Sequence, residues 1–165
     1  MPAKPRTTRI QHSLWDRLTA GDRPQGEGVG TSTAGEIARL RDEVRRDLEW
    51  LLNSRRPPVD LPPGSSALER SVMTYGLPDF SGLCLADPQE CDRLTATLAT
   101  TIAQFEPRLA NVRVLFEPIS RDGARPALHY RIEALLRIDP VPEPVAFDTI
   151  LELADRSFTV KTPGE

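Results

Sequence analysis

The sequence predicts an α+β fold in which two main helices pack on one face of a small, mostly antiparallel sheet. Three observations lead there. Apolar residues recur every three or four positions along two long stretches, the period switches to two beyond Pro107, and an Asp-Gly pair separates the first two alternating runs. At 165 residues the chain can bury a core of its own but is too short for two full-sized domains. The reading is a tail over 1–32, one α+β domain over 33–162 and a C-terminal tail over 163–165.

The first dozen residues carry Lys4, Arg6 and Arg9 along with Pro2 and Pro5, and hold too little apolar surface to order alone. Within 13–19, Leu14, Trp15 and Leu18 stand at helical spacing and predict a short helix that docks by its apolar edge. Residues 20–32, with four glycines and a proline, read as a flexible linker. Thr33 then precedes Glu36 by three positions, a capping-box arrangement, and Ile37, Leu40, Val44, Leu48, Leu51 and Leu52 follow on one face. This predicts a helix over 34–53. Its other face, from Arg39 to Glu49, mixes charges, with Asp42 and Arg46 in the favourable i,i+4 order, and reads as solvated.

Pro57, Pro58, Pro62 and Pro63 end that helix in an extended connector. Ser66–Thr74 is expected to form one or two helical turns with Leu68, Val72 and Met73 inward. Asp87-Pro88-Gln89-Glu90 is the clearest start signal: an Asp cap, proline at the first helical position, and an early acid. Cys91, Leu94, Leu98, Ile102 and Phe105 mark the apolar face of a helix over about 88–105. Alternation then places Val112, Val114 and Phe116 on one strand and Leu128, Tyr130, Ile132, Ala134, Leu136 and Ile138 on the next, with His129, Arg131, Glu133 and Arg137 on the wet side. Asp122-Gly123 reads as the hairpin turn between them. A third run, Val145 to Leu153, and a weak fourth, Ser157–Lys161, complete the sheet.

Composition narrows the function. Lys and Arg number 21 against 24 Asp and Glu, a net charge of −3, so nothing draws the chain broadly to nucleic acid or anionic lipid. No apolar run approaches the roughly 20 residues that span a bilayer, and the first thirty residues hold no signal-peptide core, so a soluble, cytosolic chain is expected. Cys84 and Cys91 fit neither a CxxC pair nor half a zinc site, and His12 and His129 lie far apart, so no metal or other cofactor is expected. No nucleophile elbow, phosphate-binding loop, dinucleotide fingerprint or Cys/His dyad can be written from the residues. The chain reads as a non-enzyme.

Glu106 is the local conflict. It sits at the C-terminal end of a well-formed helix, where the macrodipole disfavours an anion, with Pro107 behind it. It wants a cation. Arg108 or Arg113 could supply one from within; alternatively Phe105 and Leu109 anchor the corner while Glu106 and Arg108 project toward another protein. The YGLPDFSG stretch is a second feature: Gly76, Pro78, Asp79 and Gly82 specify a shaped turn, pinned by Tyr75, Leu77 and Phe80. In LLNSR, Asn53 reads as a C-terminal helix cap and Arg55 as favourable to the helix dipole.

In this order, LLNSR at 51–55, YGLPDF at 75–80, FEPRL at 105–109 and the strands behind them resemble TssE, the family of small baseplate subunits of type VI secretion systems, over about residues 13–154. That family is similar to a wedge protein of contractile phage baseplates and was once labelled lysozyme-like. The resemblance implies a structural role in a cytoplasmic baseplate docked at the inner membrane of a Gram-negative bacterium. Partners would be the wedge subunits TssF, TssG and TssK and the sheath subunits TssB and TssC. The family's Glu-Pro-Arg motif maps onto Glu106, Pro107 and Arg108, which would grip the helical core bundle of the wedge. A free sheet edge would accept a sheath strand and start polymerisation. The glycine-rich 20–32 and proline-rich 56–64 segments depart from the family pattern. Two other readings are a regulatory adaptor of similar fold and a peptidoglycan hydrolase; the residues give the lysozyme label no support.

Overall fold

A computed structural model describes residues 15, 18, 33–60, 62, 64–82, 87–117, 127–139 and 141–164. Helix α1 runs Thr33–Asn53, a one-turn helix α2 Ser66–Glu69 and a 3₁₀ turn Val72–Thr74, and α3 spans Pro88–Phe105. Four strands follow, β1 Leu109–Glu117, β2 Ala127–Leu136, β3 Glu143–Glu152 and β4 Phe158–Lys161. They form one antiparallel sheet in the order β1-β2-β3-β4. The chain is α+β, as the change of period predicts.

Both main helices lie on the same face of the sheet, α3 against β1 and α1 against β4. Leu40, Val44, Leu48, Leu51 and Leu52 of α1 and Cys91, Leu94, Leu98 and Ile102 of α3 meet the inward residues of the strands: Leu128, Tyr130, Ile132, Ala134 and Leu136 on β2, Val145, Phe147 and Leu151 on β3, and Phe158 and Val160 on β4. Helix α3 starts where the sequence signals it. The Asp87 carboxylate accepts the Gln89 N–H at 2.9 Å, and Pro88 occupies a position whose N–H needs no partner.

Strand β1 begins at Leu109, earlier than the alternation suggests, because the Arg137 N–H reaches the Arg108 carbonyl at 2.8 Å and Leu109 already pairs with Leu136. A bulge between Ala110 and Arg113, with Asn111 at φ 53°, then realigns the strand. Phe116, expected inward, is 36 % exposed, since β1 is an edge strand with only β2 beside it.

The segment 66–74 corrects an expectation. Leu68, Val72 and Met73 are exposed, Val72 to 89 %. Its turns are too short to present a continuous face to the core, and they are held by local bonds: the Ser71 hydroxyl donates to the Leu68 carbonyl and the Thr74 hydroxyl to that of Glu69, both at 2.7 Å. Trp15 and Leu18 are helical, and Trp15 meets Trp50 edge-on at 5.8 Å between centroids. The rest of the predicted 13–19 helix, the 20–32 linker, Cys84 and the Asp122-Gly123 turn lie outside the described residues.

Candidate functional site

Two constellations gather the singled-out residues, and α1 contributes to both. The first is the elbow between α3 and β1. The Glu106 N–H closes the last helical turn on the Ile102 carbonyl at 2.8 Å, Pro107 stops the helix, and the Leu109 N–H returns to the Glu106 carbonyl at 3.1 Å. This folds Arg108 back over Glu106. Arg108 Nε donates to Glu106 Oε1 at 2.7 Å and Nη2 to Oε2 at 2.5 Å, a bidentate pair, while the Arg108 backbone N–H also reaches Oε1 at 3.2 Å.

Asp47 of α1 completes the group, accepting from Arg108 Nη2 at 2.7 Å. Its other oxygen takes Arg46 Nη2 at 3.2 Å, and the Arg46 guanidinium lies 5.0 Å from the centre of the Trp50 ring. Charges therefore alternate from the α1 surface inward: Arg46, Asp47, Arg108, Glu106. Glu106 is 5 % exposed and Arg108 7 %. Burial by itself would pull the Arg108 pKa down, but its bonds and charge interaction with Glu106, then Asp47, raise it on balance. Tyr75, packed edge-on against Phe105 at 5.4 Å, has its phenol pKa pushed up by burial and then by the Asp47 and Glu106 charges.

Outward projection of Glu106 and Arg108 is thus not what the fold does. Both are turned inside and locked to each other, because an anion at a helix C-terminus finds its nearest cation two residues on, and Asp47 shares Arg108 Nη2 with Glu106 from the α1 side. Arg113, the other candidate cation, is exposed on β1. Pro107 remains exposed at the tip of the elbow, and Leu109 and Phe105 anchor it, Leu109 being 3 % exposed. Arg108 Nη1 is buried and makes no hydrogen bond among the described residues.

In the second constellation, LLNSR and YGLPDF are stitched together. The Leu77 N–H donates to the Ser54 carbonyl and the Arg56 N–H to the Leu77 carbonyl, each at 2.9 Å, a parallel bridge between Arg55 and Leu77. Gly76 makes the close approach possible: its φ is +100°, and a Cβ there would lie 2.5 Å from the Ser54 carbonyl oxygen. Pro78 follows, and Asp79 accepts from the Ser81 N–H and hydroxyl at 2.8 and 2.9 Å, which hold its pKa below the usual carboxylate range, with help from Arg156 and Arg55.

Arg55 caps the end of α1 through Nη1 on the Leu52 carbonyl at 2.8 Å, reaches the Arg156 carbonyl with Nη2 at 2.8 Å, and stacks 4.4 Å over Phe80. Partial burial lowers its pKa. Arg156, at φ 57°, answers with Nη1 on the Phe80 carbonyl at 2.6 Å. Asn53 does more than end a helix. Its amide donates to the Glu49 carbonyl at 2.9 Å and to the Phe158 carbonyl at 2.8 Å, and accepts the Phe158 N–H at 2.8 Å.

Asp47, Arg45, Glu49 and Arg156 escape sequence reading. A mixed-charge helix face looks the same whether water or a distant strand satisfies it, although Arg45, Glu49 and Asn53 at four-residue steps do form a polar stripe. Catalytic geometry is not what these groups make. Both Glu106 oxygens are occupied by Arg108, and among the described residues no cluster of three or more His, Cys, Asp or Glu side chains is arranged to hold a metal ion. No helix among them is long and apolar enough to cross a membrane.

A family model described as baseplate wedge protein gp25 matches residues 38–141, well over half of the chain. The matched span runs from α1 past β2 and contains Asp47, both stitched loops and the elbow. Curated proteins yield no match.

Proposed function

The chain belongs to the baseplate wedge protein gp25 family, a structural component of phage-tail-like baseplates, and from that premise we propose that it serves in the baseplate of a type VI secretion system. There it docks in the wedge beside TssF, TssG and TssK and offers a sheet edge on which the TssB–TssC sheath starts. It carries out no chemistry. Its place of work is the cytoplasm, at a baseplate held on the inner membrane.

The observation that carries this reading beyond family membership is the β1 margin. β1 lies at the end of the strand order, and among the described residues no group hydrogen-bonds to the side of it away from β2. Leu115 is 46 % exposed on the outer face between Arg113 and Glu117, and Phe116 is 36 % exposed on the inner face beside Tyr130. An incoming strand would gain main-chain bonds along this margin and side-chain cover for both residues. Edges are normally blunted by charge or by bulges; β1 has Arg113, Glu117 and the 110–113 bulge, but Leu115 and Phe116 stay exposed between them, which supports a role in strand acceptance.

The Glu-Pro-Arg motif enters the proposal by shape. The buried Arg108 lock fixes the elbow so that Pro107 and the flanking backbone meet the wedge as a rigid corner, at little entropic cost on docking.

Leu115→Lys tests the edge. It places a charge on an exposed site, so melting should stay within about 2 °C of wild type. TssF–TssG co-purification should persist while sheath assembly in cells is lost. Normal sheath formation in this variant, or failure of the wild-type chain to co-purify with any wedge subunit, would refute the proposal.

A further inference from the structure

A four-stranded open sheet has two margins, and in this molecule they are treated differently. β4 is four residues long, and antiparallel alternation turns the backbone N–H and C=O of Phe158 and Val160 away from β3, just as Thr159 and Lys161 turn theirs toward it. All four outward groups are taken by side chains of α1. The Asn53 amide exchanges two bonds with Phe158, donating to its carbonyl and accepting from its N–H, each at 2.8 Å. That is the pattern a residue of a neighbouring strand would make. Glu49 Oε2 accepts the Val160 N–H at 3.1 Å, and Arg45 Nη1 donates to the Val160 carbonyl at 3.1 Å.

These three side chains stand at four-residue steps on one stripe of α1, and Arg45 also faces Glu49 at 3.6 Å. Phe158 and Val160 are themselves buried, at 2 % and 1 % exposure, so the strand is held from its side chains as well as its edge. Nothing equivalent lies against β1 among the described residues.

We infer that Arg45, Glu49 and Asn53 form a clasp that closes the β4 margin to strand addition and thereby makes β1 the acceptor. The partner this fits is an extended segment of another protein joining at β1, so that growth from the sheet proceeds in one direction. The biological meaning rests on the strand-acceptor reading above, but the clasp itself is a property of the isolated chain. A sheet with both margins open would recruit strands at either side and lose the polarity that a starting point for a directional polymer needs.

Amide exchange followed by NMR tests it in the full chain without any partner. In the wild type the Phe158 and Val160 amides should exchange slowly. Asn53→Leu, close in shape, should accelerate Phe158 at least tenfold, and Arg45→Ala/Glu49→Ala/Asn53→Leu both amides, while Phe147 and Thr149 in β3 change less than twofold. Adding Leu115→Lys blunts β1. In that background the triple variant should self-associate with concentration by light scattering, whereas Leu115→Lys with an intact clasp stays monomeric. Unchanged exchange at 158 and 160 overturns the clasp, as does open β4 without self-association, or self-association with the clasp intact. Failure of the strand-acceptor reading shows separately, as absence of captured sheath protein with the exchange results standing.

Discussion

Removing either charged residue of the elbow should cost much of the molecule's stability. The side chains of Arg108 and Glu106 are 8 % and 6 % exposed, and Asp47 adds a third charge at 17 %. Arg108→Ala leaves the buried Glu106 carboxylate without its cation and close to Asp47, and breaking one side of a buried pair costs about 3–5 kcal/mol. Glu106→Ala falls at the lower end of that range, because Asp47 still accepts from Nη2. Asp47→Ala should cost only about 1–2 kcal/mol, since the bidentate pair survives it. At roughly 3 °C per kcal/mol for a chain of this size, Arg108→Ala should melt about 10–15 °C below wild type. Urea unfolding followed by circular dichroism, at one pH and salt concentration, gives the numbers. The double replacement Glu106→Leu/Arg108→Met removes both charges together and should lose clearly less than the sum of the two alanine variants, a coupling of about 2 kcal/mol. If both alanine variants melt within 1 °C of wild type, the lock contributes nothing and the elbow owes its shape to Pro107 and packing alone.

Other consequences follow from the same geometry. Gly76→Ala forces a Cβ against the Ser54 carbonyl at a positive φ, and thermal denaturation should register a loss of about 3 kcal/mol or more with the LLNSR–YGLPDF bridge broken. Tyr130→Phe should raise the melting temperature by about 3 °C, because the Tyr130 hydroxyl is buried and makes no hydrogen bond among the described residues, and such a group costs about 1 kcal/mol. Burial also raises the Tyr130 pKa above its ordinary value of 10.0. Below that value the phenol is neutral in both states, and as pH climbs past it the unfolded chain ionises first, so stability falls. The alkaline decline above about pH 10 should therefore be shallower in Tyr130→Phe than in wild type; equal slopes in a pH series of urea midpoints would contradict it.

The docking of the elbow can be measured apart from its stability. Capture of wedge subunits is to be compared at a temperature well below the lowest melting point of the set, where every variant is folded. A variant such as Glu106→Leu/Arg108→Met, folded but without the ionic lock, should capture less than wild type if rigidity of the corner matters.

Periodicity and punctuation sufficed for the elements. The 3.6-residue stripe of α1, the Asp87-Pro88 start of α3 and the alternation of Leu128 to Leu136 each follow from whether a side chain meets water or core, which is written locally in the chain. The exposure of Leu68, Val72 and Met73 is not legible in the same way, because apolar residues in so brief a segment do not reveal whether any neighbour covers them.

Partners of charges were another matter. Glu106 announced its need for a cation by its place at a helix end, but whether Arg108 turned inward or outward depended on Asp47 arriving from a helix some sixty residues earlier. In the same way Asn53, Glu49 and Arg45 looked solvated until β4, more than a hundred residues on, was laid beside them. The chain by itself determined the helices, the strands and which faces are apolar, because burial has a period. Only the tertiary structure decided which polar groups meet and which strand edge the α1 side chains cap, because hydrogen bonds and ion pairs depend on distances in space that no spacing along the sequence encodes.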